Sequence, residues 1–291
     1  MYSPILSLLL MGVLPFQRGT SPGESPLEHL RIAPPALTAS ASSDGRGYRL
    51  LPLQLSASGV LIIDRESGQP LFAKEHRIPR PMASLTKIMT ALLIVEHHTM
   101  DEWVTIPPEV HGVGGESIHL EPGQQFTVGD LLSAILIGSA NDAAVALAVY
   151  HSGSTEAFVA AMNARARELG LLHTSYQNPV GFDAEMQRST PQDIAWLVMF
   201  ALRSGEIRQR MGMRGTIFKS RSGDTVTVTH THALLHAENG VIAGKTGTTP
   251  NARQCLLSVV RGSDDREYIV VLLHSLNRYA DMRAIVRALT S

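Results

Sequence analysis

The sequence predicts an α/β chain of the α+β kind, an antiparallel sheet built from both ends of the chain with a helical insertion between its halves. Three observations predict it. Strand-like apolar runs occur near residue 60 and again beyond residue 214, helical periodicity fills the stretch between, and a short helical run closes the chain.

Taken in order, Gly59-Val60-Leu61-Ile62-Ile63-Asp64 and Gln69-Pro70-Leu71-Phe72-Ala73, joined by Arg65-Glu66-Ser67-Gly68, predict a β-hairpin. Leu85, Ile88, Met89, Leu92 and Leu93 then recur at spacings of three and four, predicting a largely buried helix to about His98. Further helices are predicted from Val128 to Ile137, Asp142 to His151 and Ser154 to Leu169, the last with Gly170 as C-cap. Thr190 as N-cap and Pro191 at the first helical position open another, continuing to Leu202. Strands are predicted at Gly240–Thr246, Cys255–Arg261 and Glu267–His274, followed by a helix from Asp281 to Leu289.

Composition bounds the function. The chain has 291 residues, 44% hydrophobic and 18% charged, enough for a sizeable core. A formal net charge of −1 and a pI near 6.9 create no long-range field, so neither nucleic acid nor an anionic membrane surface is implied as a partner. Cys255, the single cysteine, excludes an intramolecular disulfide and reads as a strand hydrophobe. The twelve histidines show no metal-ligand spacing, so no metal or cofactor is expected, and His97, His98, His230 and His232 read as surface or strand residues. Residues 1–18 contain an apolar stretch of the size of an export signal, although no Lys or Arg precedes it and no A-x-A site follows closely. Residues 19–50, rich in Ser, Gly, Pro and Ala, read as a flexible linker, leaving 51–291 as the folded domain.

Three short elements carry chemistry: Ser84-Leu85-Thr86-Lys87, Ser139-Ala140-Asn141 and Lys245-Thr246-Gly247. A serine hydroxyl is a poor nucleophile until a neighbouring base takes its proton, and residues three apart on a helix share a face, so the Lys87 amine can serve Ser84. Burial near other cations would favour the neutral amine that accepts a proton. Ser139 can relay a proton to a leaving amine and the Asn141 amide can hold a peptide backbone, provided the turn between the flanking helices is not helical. Lys245 and Thr246 can recognise a carboxylate, Gly247 leaves the strand edge open to an extended peptide, and the Thr248 N–H with that of Ser84 can form an oxyanion hole. Taken singly, each element also describes something plainer: a helix start with a solvent-directed lysine, an N-cap, a lysine beside a turn. A second S-x-N, Ser275-Leu276-Asn277, shows how little one match decides. Their order along the chain, each in the context its chemistry needs, gives the set its weight.

The longer blocks around these elements resemble the low-molecular-weight penicillin-binding proteins, the D-alanyl-D-alanine carboxypeptidase family. They are Ala83 to Ala91, Leu120-Glu121-Pro122-Gly123, Phe126 to Leu132, Gly138 to Ala148, Phe158 through Met162-Asn163, Leu169-Gly170 with Thr174, and Asn178-Pro179-Val180-Gly181. The resemblance spans roughly residues 55 to 288 and implies a β-lactamase/transpeptidase-like fold. It also implies acyl-enzyme chemistry without a cofactor: Ser84 attacks the penultimate D-alanine carbonyl of a peptidoglycan stem peptide, D-alanine leaves, and water releases the trimmed peptide. β-Lactams would acylate the same serine. Arg278, just before the last helix, matches the arginine that in such proteins helps bind the terminal carboxylate.

Alternatives remain at this level. A serine β-lactamase needs a deacylating base such as the Glu of an E-x-x-L-N loop, and none lies between Ser139 and Lys245. A D,D-endopeptidase would use the same residues, and a non-catalytic homologue would not need them intact. Asn251-Ala252-Arg253-Gln254 departs from the small segment expected after Lys245-Thr246-Gly247, leaving the cleft edge undefined. The chain ends soon after the catalytic domain, so any membrane attachment is expected through residues 1–18, and the site of action in the extracytoplasmic cell-wall space.

Overall fold

The computed structural model describes residues 53–237 and 240–290, so the readings for 1–18 and 19–50 lie outside the described residues. In chain order, β1 (Gly59–Asp64) and β2 (Pro70–Lys74) form the hairpin, whose tight return Asp64 holds by accepting from the N–H groups of Glu66 and Ser67. A 3-10 turn, Ala83–Thr86, leads into α1 (Lys87–His97), which buries Lys87 through Ile94 without interruption. Two short strands, β3 (Trp103–Thr105) and β4 (Gln125–Thr127), flank a long loop and pair with each other. Thr127 then caps α2 (Val128–Leu136) in a reciprocal box with Asp130. Helices α3 (Asn141–Ser152), α4 (Thr155–Glu168), α5 (Pro191–Ala201) and α6 (Gly205–Gly212) follow. The hairpin of β5 (Gly215–Lys219) and β6 (Thr225–Thr229) returns the chain to β7 (Val241–Thr249), β8 (Arg253–Arg261), β9 (Glu267–Ser275) and α7 (Arg278–Thr290).

The main sheet runs β2-β1-β9-β8-β7, antiparallel throughout, and joins the first two strands of the described chain to the last three. Its central strands β1, β9 and β8 are buried on both faces because helices cover both. Val60, Ile62, Leu256, Val260, Val270 and Leu272 pack with Met282, Ile285, Val286 and Leu289 of α7. On the opposite face α5 packs on β1 and β9. The segment entering β1 is tied to the last helix by the Asp281 carboxylate, which accepts from the backbone N–H groups of Ser56 (2.8 Å) and Ala57 (2.9 Å) and from the hydroxyls of Ser56 and Ser275.

The expected α+β organisation is present, with four differences. The strand anticipated to end at Thr246 continues to Thr249, because Lys245 to Thr249 pair with Leu257 to Arg253 on β8. The last helix starts at Arg278 rather than Asp281, since the Asn277 side chain accepts from the Ala280 N–H (3.0 Å) and caps it earlier. Helix α6 and the β3–β4 pair were not anticipated. Finally, His230 and His232 are neither surface nor strand residues: both are buried beyond the end of β6, and the His232 ring packs against Gly244 with Nε2 2.7 Å from Ser258 Oγ.

Candidate active site

Ser84 lies in the 3-10 turn, one residue after Ala83, which holds a left-handed φ of 48°. A non-glycine residue in that region is strained and persists only where its surroundings enforce it. Two glycines enforce it here. A Cβ on Gly181 would come 2.1 Å from the Ala83 carbonyl oxygen, and one on Gly247 would come 2.9 Å from Ser84 N and 2.9 Å from Ala83 Cβ. Gly247 thus admits the nucleophile turn itself against β7, a closer requirement than the expected room for substrate. β7 is the last strand of the sheet, so its outer edge borders the Ser84 turn.

At the start of α1 the fully buried Lys87 amine lies 3.0 Å from Ser84 Oγ, 2.6 Å from Asn141 Oδ1 and 2.7 Å from the Val180 carbonyl oxygen. All three partners are neutral. Burial and the nearby Lys245 charge hold the Lys87 pKa well below that of an ordinary lysine, with the Glu116 and Asp142 charges opposing. Both effects move the amine toward the form that accepts a proton.

Ser139 occupies the α2–α3 turn with φ 61°, the non-helical backbone that its chemistry requires. Its Oγ accepts from the Lys245 amine at 2.7 Å, and that amine also reaches the Thr246 carbonyl at 3.0 Å. Lys245 is fully buried, and burial together with the Arg278 charge lowers its pKa to about 7. Asn141 is the first residue of α3 rather than a loop residue. Its amide is engaged at both ends, Oδ1 on Lys87 and Nδ2 on the Gly114 carbonyl (2.7 Å), so it holds the Lys87 amine in place. Asp142 does not cap α3; its carboxylate gathers Ser117 Oγ and the N–H groups of Ile118 and Leu120.

On β7, Thr246 Oγ1 lies 2.6 Å from Thr231 Oγ1. Arg278 donates through Nη1 to the Gly247 carbonyl (3.0 Å) and to Thr248 Oγ1 (2.8 Å), which places its guanidinium at the strand rim. The divergent Asn251–Gln254 stretch spans the end of the β7–β8 turn and the first two residues of β8, and Asp183 holds the turn by accepting from Thr249 Oγ1 (2.6 Å) and Asn251 N (3.0 Å).

All nine residues singled out in the sequence fall on the Ser84 turn, α1, the α2–α3 turn, the start of α3, β7 and the first residue of α7. Sequence reasoning missed the Val180 carbonyl, Thr231 and Gln187. Gln187 Nε2 donates to Thr86 Oγ1 (2.9 Å) while its Oε1 accepts from the N–H groups of Gln177 and Asn178. A carbonyl leaves no mark in side-chain types, and only the Asn178-Pro179-Val180-Gly181 block pointed to this segment.

A serine beside a buried lysine of lowered pKa, faced by a second lysine–serine pair near the outer edge of β7, assembles the residue types that acyl transfer needs. The chain belongs to the D-alanyl-D-alanine carboxypeptidase family, peptidase S11, whose model matches residues 47–275. It is 34% identical to the D-alanyl-D-alanine carboxypeptidase DacF of Bacillus subtilis, over 92% of this chain and 65% of that protein. It is 28% identical to a D-alanyl-D-alanine endopeptidase of Pseudomonas aeruginosa, over 84% of this chain and 79% of that protein. The crystal structure of the Streptomyces K15 DD-transpeptidase superposes with a TM-score of 0.76 at 28% identity, covering 81% of this chain and 97% of that one. The β-lactamase/transpeptidase-like fold is thereby established. This chain spans 65% and 56% of the lengths of DacF and of the Escherichia coli carboxypeptidase DacC.

Proposed function

We propose that this protein is a serine-type D-alanyl-D-alanine carboxypeptidase that removes the terminal D-alanine from peptidoglycan stem peptides. The observation that carries the reading is the 3.0 Å approach of a buried Lys87 amine, which forms no ion pair among the described residues, to Ser84 Oγ. Lys87 Nζ takes the hydroxyl proton as Ser84 Oγ attacks the penultimate carbonyl carbon. The developing oxyanion is received by the N–H groups of Ser84 and Thr248. Ser139, hydrogen-bonded to Lys245, passes a proton to the departing amine, and water then cleaves the ester, returning the proton to Ser84. Lys245, Thr246 and Arg278 hold the terminal carboxylate, and the β7 edge pairs with the extended peptide. No step calls on a metal or organic cofactor, and a β-lactam would be opened by the same serine.

Residues 1–18 support export to the cell-wall space. No helix among the described residues is long and apolar enough to cross a membrane. Residues 51–291 act as one catalytic domain in this reading.

The test is D-alanine release from a pentapeptide ending in D-alanyl-D-alanine, comparing wild type with Ser84→Ala. Release by the wild type and its loss in the variant are expected. Cleavage only of cross-linked dimers would assign the same site to an endopeptidase, and absence of both activities would contradict the proposal.

A further inference from the structure

Lys87 and Asn141 open α1 and α3, and histidines close the same two helices. His97 is the last residue of α1, His98 follows it, and His151 stands in the last turn of α3. His98 Nε2 lies 3.0 Å from His151 Nδ1, with the ring centroids 5.2 Å apart and the planes at 74°. The other nitrogen of His98 is committed, because Nδ1 donates to Glu102 Oε2 at 2.7 Å. That carboxylate is itself anchored, accepting from the Tyr150 hydroxyl (3.0 Å) and the Thr99 N–H (2.7 Å). A neutral imidazole protonated at Nδ1 carries its lone pair on Nε2, and in His98 that lone pair points at His151.

A carboxylate on the far nitrogen is the support that metal-ligating histidines use, since it fixes the tautomer and raises the basicity of the ligating nitrogen. The separation of the two nitrogens fits as well. Two nitrogens at about 2.0–2.1 Å from one ion stand about 2.9 Å apart at a right angle and about 3.4 Å apart at the tetrahedral angle. The 3.0 Å found here matches the right angle, the cis arrangement of a tetragonal ion. Both rings are partly exposed, so an ion can reach them. Protons compete weakly at neutral pH, because burial and the His97 and His98 charges hold the His151 pKa down to about 4. His97 stands apart from the pair: its Nδ1 donates to the Leu93 carbonyl at 2.8 Å, and its ring meets His151 edge-on with centroids 5.0 Å apart. No three His, Cys, Asp or Glu side chains among the described residues form a metal-holding group, so this is a two-imidazole site whose remaining positions water would fill.

We propose that His98 Nε2 and His151 Nδ1 bind one divalent transition-metal ion of the imidazole-preferring class, Cu²⁺ most tightly, which clips the end of α1 to the end of α3. The ion takes the place of the proton between the two rings, and that proton moves to His151 Nε2. The site is independent of the Ser84 chemistry. The test titrates the untagged, metal-stripped full chain with Cu²⁺ at neutral pH, read by electron paramagnetic resonance and by thermal melting. One equivalent bound with a two-nitrogen hyperfine pattern is expected, together with a melting temperature that rises with Cu²⁺ concentration. His98→Gln and His151→Gln should each weaken binding by about tenfold or more and Glu102→Gln by about tenfold, whereas His97→Gln should leave it within about twofold. Circular dichroism of the metal-free variants checks that each is folded. Should one ligand variant fail to fold, the nitrogen count in the wild type and the affinity of the other variant decide. Absence of saturable binding, a single-nitrogen spectrum, or an affinity that survives in His98→Gln or His151→Gln would overturn the site.

Discussion

At the scale of single residues, the site contains two lysines whose pKa values burial lowers. Lys87 rests on a hydroxyl, an amide oxygen and a carbonyl, and Lys245 on a hydroxyl and a carbonyl. Their protonation sets opposite pH limbs. In the proposed mechanism acylation needs the neutral Lys87 amine, so kcat/KM should fall as pH drops through its depressed pKa, well to the acid side of a free lysine. Carboxylate recognition needs the Lys245 cation, which is lost as pH rises through about 7. A peptide with a free terminal carboxylate should therefore show an alkaline fall in kcat/KM near that pH, and the same peptide esterified at its C-terminus should not. A shared alkaline limb in the two pH profiles would remove Lys245 from carboxylate binding.

At the scale of elements, the segment from Asn178 to Gln187 braces the nucleophile. Thr90 Oγ1 donates to the Pro179 carbonyl (2.8 Å), the Val180 carbonyl holds Lys87, and Gly181 lies against the Ala83–Ser84 peptide with φ 98°. Gly181→Ala introduces both a left-handed penalty of about 1–3 kcal/mol and a clash with a carbonyl. The segment must shift, and misplacing a reacting group by an ångström can slow a reaction about 10²-fold. β-Lactam acylation of the variant, followed by stopped-flow fluorescence, should slow by that order while circular dichroism retains the native helix content; an unchanged acylation rate would deny the bracing role.

This segment also shows where the sequence was legible and where it was not. α1, α2, α4 and α5 were readable because apolar periodicity and side-chain caps at Thr127, Ser154 and Thr190 mark them locally. α6 was missed because its Gly205–Gly212 run is flanked by glycines and mostly polar, and β3 and β4 because three-residue strands carry no period. Ser84, Lys87, Ser139, Asn141, Lys245, Thr246, Gly247, Thr248 and Arg278 were readable as side-chain types in order. The Val180 carbonyl, the burial of His232 under Gly244 and the meeting of His98 with His151 arise from tertiary contacts between distant segments, and no local pattern encodes them.

At the scale of the whole described chain, the sheet joins its two ends while the helices between them bring Ser139 and Asn141 across to Ser84. The cleft therefore exists only when β1, β7 and the inserted helices are assembled together, with Asp281 of the last helix tied to the residues just before β1. The central claim is that this assembly makes Ser84 a nucleophile. Incubation with benzylpenicillin followed by peptide-mapping mass spectrometry tests it most directly. One adduct of the mass of the intact drug is predicted, on the peptide containing Ser84, absent in Ser84→Ala and strongly diminished in Lys87→Ala. An unmodified protein, or an adduct that survives in Ser84→Ala, would contradict it.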